Sequence, residues 1–158
     1  MSADASSPPC YANEGDPGYM GYASNNEIIA ALQELLEAER AGARLALVSR
    51  SEAEAPDMKN LIETIHADES RWCAMLSREI KRLHAEPSQI CGDFYEKAVA
   101  ISDMHQRLIF LNRGQRWVTR KLDALLPRVK DDALHHALLE MRDNHEANIG
   151  AVEGVTGK

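Results

Sequence analysis

Four polar residues, Glu39, Glu69, Gln115 and His145, stand where hydrophobic ones are expected. Each interrupts an apolar stripe of helical period. The first stripe reads Ile28, Leu32, Leu35, Leu36, then Ala43 and Ala46, and its spacing brings position 39 onto the same face. The second reads Met58, Leu61, Ile62 and Ile65, resumes at Trp72, Leu76 and Leu83, and has Glu69 between. The third is a near-heptad, Met104, Leu108, Leu111, Val118, Leu122 and Leu125, with Gln115 in its gap. The fourth, Leu134, Leu138, Met141 and Ile149, has His145 in its gap. One such interruption is weak evidence, because a helix can rotate and let a long side chain reach water. Four at similar height in antiparallel helices predict a single polar layer.

The chemistry open to that layer is narrow. An unpaired ionised carboxylate in a core costs several kcal/mol even after relaxation, against a domain stability of about 5–15 kcal/mol. Glu39 and Glu69 therefore need a metal cation, protonation at a raised pKa, or a cationic side chain. Two carboxylates and the imidazole of His145 suit one iron or manganese ion, with Gln115 or His66 assisting. His66 lies three residues before Glu69, on a neighbouring face. Arg142 carries the alternative: pointed inward, its guanidinium would pair with Glu39 or Glu69 and repel a metal, leaving a buried network. Other clusters read as ordinary structure. Glu63, His105, His135 and His136 belong at the surface or rim, and Trp72 and Trp117 fill the core. Arg113, Arg116, Arg120 and Lys121 form a solvated basic face opposite acidic neighbours.

Helices must position these residues. Ser24-Asn-Asn-Glu27 fits a capping box and opens a helix to about residue 50. Pro56 suits the first turn of a second helix that Pro87 stops near His84. Asp93 with Glu96 offers the next cap, and a break near Ser102-Asp103 divides the following segment into a short helix and a main one. Asp131 or Asp132 caps the last helix, which is expected to end by about Gly150, with a disordered tail over 151–158. Residues 1–23, rich in Ser, Pro, Gly and Asp, read as an irregular arm whose Tyr11, Tyr19, Met20 and Tyr22 could hold it to the helices or to a partner subunit. The expected fold is all-α: an antiparallel four-helix bundle over residues 24–150.

Composition agrees. The chain has 158 residues, 44% apolar and only 5% aromatic, enough for one core and poor in strand formers. A net charge of -7 with scattered Lys and Arg argues against nucleic-acid binding. No run approaches the roughly 18 apolar residues of a membrane span, and no secretory signal is evident, so a cytoplasmic protein is expected. The three cysteines, Cys10, Cys73 and Cys91, lack the spacing of a disulfide framework or zinc cluster.

The segments LQELLEAERAGARLAL (32–47) and HADESRWCAML (66–76), with LNRGQRWVTRKL (111–122) and LEMRDNHEANI (139–149), resemble the ferritin-like superfamily, and within it small rubrerythrin-like bacterial proteins of unknown function. The resemblance implies a ferritin-like bundle with Glu39 and Glu69 at iron-ligand positions, and by analogy iron-dependent oxygen or peroxide chemistry. A homo-oligomer, a dimer above all, is the expected assembly. The di-iron pattern takes a Glu from each of two helices and Glu-x-x-His from the other two. Here Trp72 replaces the His of the second helix, Gln115 stands near the Glu of the third, and Arg142 precedes His145 where a Glu is expected. The surviving set suffices for one metal ion and is too small for two.

Overall fold

The computed structural model describes residues 20–158, and these residues form five α-helices with no strand. Four are long: α1 (Asn25–Glu52), α2 (Pro56–Arg82), α4 (Met104–Leu125) and α5 (Asp132–Thr156). The short α3 (Phe94–Val99) lies between α2 and α4, and a 3-10 turn, Leu126–Arg128, follows α4. The expected break before Asp103 is present. The arm expected over residues 1–23 falls mostly outside the described residues, as do Cys10, Tyr11 and Tyr19; its last part reaches the fold through the Ala23 amide, which donates to the Arg128 carbonyl at 2.9 Å.

Local chemistry sets the helix ends. The Ser24 hydroxyl accepts from the Glu27 amide at 3.2 Å while the Glu27 carboxylate accepts from the Ser24 amide, a complete capping box. Asp103 and Asp131 each accept from an amide three residues on. Asp93 does not: its backbone is already helical and its side chain makes no cap bond, so the expected capping box at α3 is absent. The Gly92 amide there donates instead to the Glu37 carbonyl of α1. At the far end α5 continues to Thr156 and stops at Gly157, whose φ of 75° is a left-handed cap. The disordered tail expected from residue 151 is thus a helical turn and a half. The reason is that Val152, fully buried, continues the stripe beyond Ile149, and Gly150 and Gly154 do not break a helix that has a core to pack on.

Cross-helix pairs establish the order. Gly42 of α1 faces Glu69 of α2, Arg82 and Asp68 of α2 pair with Asp131 and Asn144 of α5, Asp123 and Arg116 of α4 pair with Arg142 and Glu153 of α5, and Arg107 and Lys121 of α4 pair with Glu52 and Glu34 of α1. Residue numbers rise on one partner as they fall on the other, so neighbouring long helices run antiparallel.

The core is in two parts. One cluster gathers Leu32, Leu35 and Leu36 with Trp72, Leu76, Ile80, Val118, Leu122, Leu138 and Met141. The other gathers Leu45, Ile62, Ile65, Leu108, Leu111 and Val152. On every long helix the polar residue of the stripe falls between the two clusters. The connection after α2 runs back along α1: Gln33 donates to the Glu86 carbonyl and accepts from the Ser88 amide, both at 2.7 Å, and Arg40 donates to the Ile90 carbonyl. These bonds seat α3 beside α1 and α4.

Candidate metal centre

Glu39, Glu69, Gln115 and His145 are all at most 3% exposed and line one cavity. Ligand atoms of Glu39, Glu69 and His145 lie within 4.8 Å of one another. His145 is held in place by its own helix: Nδ1 is 2.9 Å from the Met141 carbonyl, which can only accept, so Nδ1 carries a proton. That leaves Nε2 facing Glu39 Oε1 at 2.8 Å. A ring nitrogen fixed in this way by a backbone carbonyl on its far side is the arrangement that orients metal-binding histidines.

Glu69 reaches the layer because α1 has no side chain in its way. A Cβ on Gly42 would fall on Glu69 Oε2 and 2.7 Å from its Cδ, so only glycine leaves room for the carboxylate. Glycine at this point, one turn beyond Glu39 in a helix otherwise rich in Ala and Leu, was the signal in the chain for a close approach.

Three oxygens in this layer have no partner among the described residues: Glu39 Oε2, Glu69 Oε2 and Gln115 Oε1. Buried polar atoms are nearly always satisfied. Two buried carboxylates with unpartnered oxygens beside an imidazole fit a divalent cation, which would take them as hard donors. Without a cation the layer neutralises itself with protons. Burial, reinforced by Glu39, pushes the Glu69 carboxyl well above its ordinary value. Burial by itself would lower the pKa of His145, but the adjacent Glu39 carboxylate overrides it and raises the imidazole to about 9.

The other expected site residues are placed elsewhere. Arg142 turns away from the carboxylates; its Nε lies 3.2 Å from Asp123 Oδ1 and its Nη1 3.3 Å from Asp143 Oδ1, with a third of the side chain exposed. The buried network of Arg142 with Glu39 and Glu69 is therefore not formed, because Asp123 on α4 offers the guanidinium an anion nearer water. His66 is half-buried and outside the cluster of ligand atoms. Trp72, at the position where the di-iron pattern places a histidine, is core, and its Nε1 donates to Asn144 Oδ1 at 2.7 Å. Trp117, expected in the core, is 39% exposed at the cavity rim, since its neighbours Val118 and Gln115 take the inward face. Cys73 is half-buried against the first cluster, and burial followed by the two glutamates pushes its thiol up to about 12, which makes it an unreactive filler.

Sequence reasoning missed Asn112. It is fully buried one turn before Gln115; its Nδ2 donates to the Ile149 carbonyl at 3.2 Å, and its Oδ1 accepts from Gln115 Nε2 at 2.9 Å. A second polar residue one turn away on the same stripe was the available signal.

No curated protein and no solved structure matches this chain. A family model described as Domain of unknown function (DUF6306) matches residues 26–153. With the match spanning all five helices and the whole polar layer, the chain belongs to the DUF6306 family.

Proposed function

We propose that this protein is a ferritin-like four-helix bundle that holds one iron or manganese ion through Glu39, Glu69 and His145, with Gln115 beside it, and acts on oxygen or peroxide. The observation that carries the reading is the convergence of three buried ligand groups, Glu39, Glu69 and His145, in which each carboxylate keeps one oxygen without a protein partner. The antiparallel order of the long helices and the resemblance of the 32–47 and 66–76 segments support the ferritin-like part. Three protein ligands leave coordination positions open, and a bound divalent ion supplies Lewis-acid or redox chemistry there.

The chain's own residues do the rest. The Met141 carbonyl holds a proton on His145 Nδ1, so Nε2 is the atom that would bind a metal once its own proton leaves. Gly42 admits the Glu69 carboxylate, and the apolar clusters above and below close the layer along the bundle axis.

Metal analysis of protein purified without chelator or affinity tag tests this. About one equivalent of metal is expected, either as isolated or after anaerobic addition of ferrous or manganous salt. Glu69→Gln, which keeps the shape and removes the charge, is expected to lose most of it while folding normally. Trace metal that does not rise on loading would overturn the reading. Consumption of peroxide or dioxygen by the loaded protein, against the Glu69→Gln variant, tests the redox part separately.

A further inference from the structure

The polar layer forms the foot of a cavity of about 490 Å³ between α1 and α4. This volume lies within the range of small-molecule sites, roughly 300–1,000 Å³. Its walls are largely apolar, from Ala38 on α1, Phe94 on α3, and Phe110, Leu111, Trp117 and Val118 on α4. The wall at α3 is built deliberately close: a Cβ on Gly114 would meet Phe94 Cζ at 2.9 Å, and the Phe94 ring stacks on Phe110 with centroids 4.8 Å apart.

Charge at the mouth is balanced. Arg113 and Arg120 line it from α4, and Glu37 and Asp93 from the other side, none of them in an ion pair among the described residues; Glu34 is paired with Lys121. With those charges balanced, the mouth draws neither a net anion nor a net cation inward.

The foot does carry one directional group. The Ile149 carbonyl can only accept, so the group on Asn112 facing it must be the amide nitrogen, and Asn112 Oδ1 must point toward Gln115. Gln115 therefore presents its Nε2 to Asn112, and the flip of its amide is fixed. Its Oε1 is left buried and without a donor among the described residues, on a side chain that lines the cavity.

We propose that the cavity binds a small, neutral, largely apolar molecule bearing a hydroxyl, inserted hydroxyl-first so that its O–H donates to Gln115 Oε1. A carboxylate at that end would set oxygen against oxygen, and a hydrocarbon would leave the acceptor unmet. The inference deepens the metal reading by naming what reaches the site, and it rests on that reading only for a reaction there; the binding itself does not require the ion.

Phenol, toluene, benzoate and benzylamine are suitable probes, titrated by calorimetry and by the fluorescence of Trp117 into both chelator-treated and manganese-loaded protein. Phenol is expected to bind at least ~10-fold more tightly than the other three, a single net hydrogen bond's worth of discrimination. In Gln115→Leu that preference over toluene should vanish while toluene still binds. Ala38→Phe, which fills the cavity from a half-buried position at the edge of the first cluster, should abolish binding of both in protein whose helix content is unchanged. Benzoate or benzylamine binding as well as phenol, a preference that survives Gln115→Leu, or no binding of any probe would each overturn the proposal. Phenol binding by a protein that takes up no metal would sink only the metal reading; metal uptake without phenol binding would sink only this one.

Discussion

His145 and Glu69 keep protons in the folded protein that the unfolded chain releases. His145 holds its proton to about 9, against an ordinary 6.5, and Glu69 holds its own well above 4.5. A divalent ion would take the place of these protons, so binding at neutral pH is expected to release at least the His145 proton, measurable by calorimetry in buffers of different ionisation enthalpy. The same protons set the pH dependence of the metal-free protein. The His145 contribution to stability is complete below 6.5 and is lost as pH rises through about 9. Glu69 works in the same direction, since its forced ionisation at high pH opposes folding. The melting temperature of chelator-treated protein should therefore fall by several degrees between these pH values, and that of metal-saturated protein should not; a flat profile for the metal-free form would contradict the assignment. Gly42 offers a separate test. Alanine is the better helix former by about 1 kcal/mol, yet its Cβ would displace the Glu69 carboxylate. Gly42→Ala should leave the metal-free fold at least as stable while weakening metal binding roughly 10-fold or more.

Among the elements, the turn from α3 into α4 depends on one side chain. Arg107, only 3% exposed near the start of α4, donates to the carbonyls of Ile101 and Val99, to the Ser49 hydroxyl and, at 2.5 Å, to Glu52. It ties the α3–α4 connection to the end of α1. Arg107→Met keeps the length of the side chain but strands these acceptors, so a loss of about 2–3 kcal/mol is expected, on the scale of hydrogen bonds to a charged group. Amide exchange should speed most in residues 94–103. Unchanged exchange there, with an unchanged denaturation midpoint, would show that α3 is held by its aromatic packing on Gly114 and its bonds to α1 without Arg107.

For the whole molecule, the divided core means that stability comes from two apolar clusters and the polar layer has to be tolerated between them. The second cluster is the smaller, and Val152 at the end of α5 closes it. Ending the chain at Gly150 would remove that valine and the Arg116–Glu153 ion pair. A fully buried valine contributes about 1.5–3 kcal/mol, and the exposed ion pair little. Chemical denaturation of the shortened protein is expected to show a loss in that range; no loss would mean that the last turns of α5 are not part of the cooperative unit.

Helical period alone determined the most about this protein. Stripes of spacing three and four place Glu39, Glu69, Gln115 and His145 on the inward faces of four helices, and Ser24, Pro56, Asp103 and Asp131 mark where those helices start. Such features depend on neighbours within one or two turns, so they can be read from the chain. What remained open depended on contacts between helices. Arg142 and His66 each lie three residues from a site residue, about 60° around the helix, a position that can turn either way. Asp123 on α4 drew Arg142 outward, and nothing in α5 itself foretells that. The close approach of Gly42 to Glu69, the Ile149–Asn112–Gln115 relay and the cavity beneath Phe94 likewise exist only once separate helices meet. Burial brought the ligands together, and the surrounding helices decided what faces them.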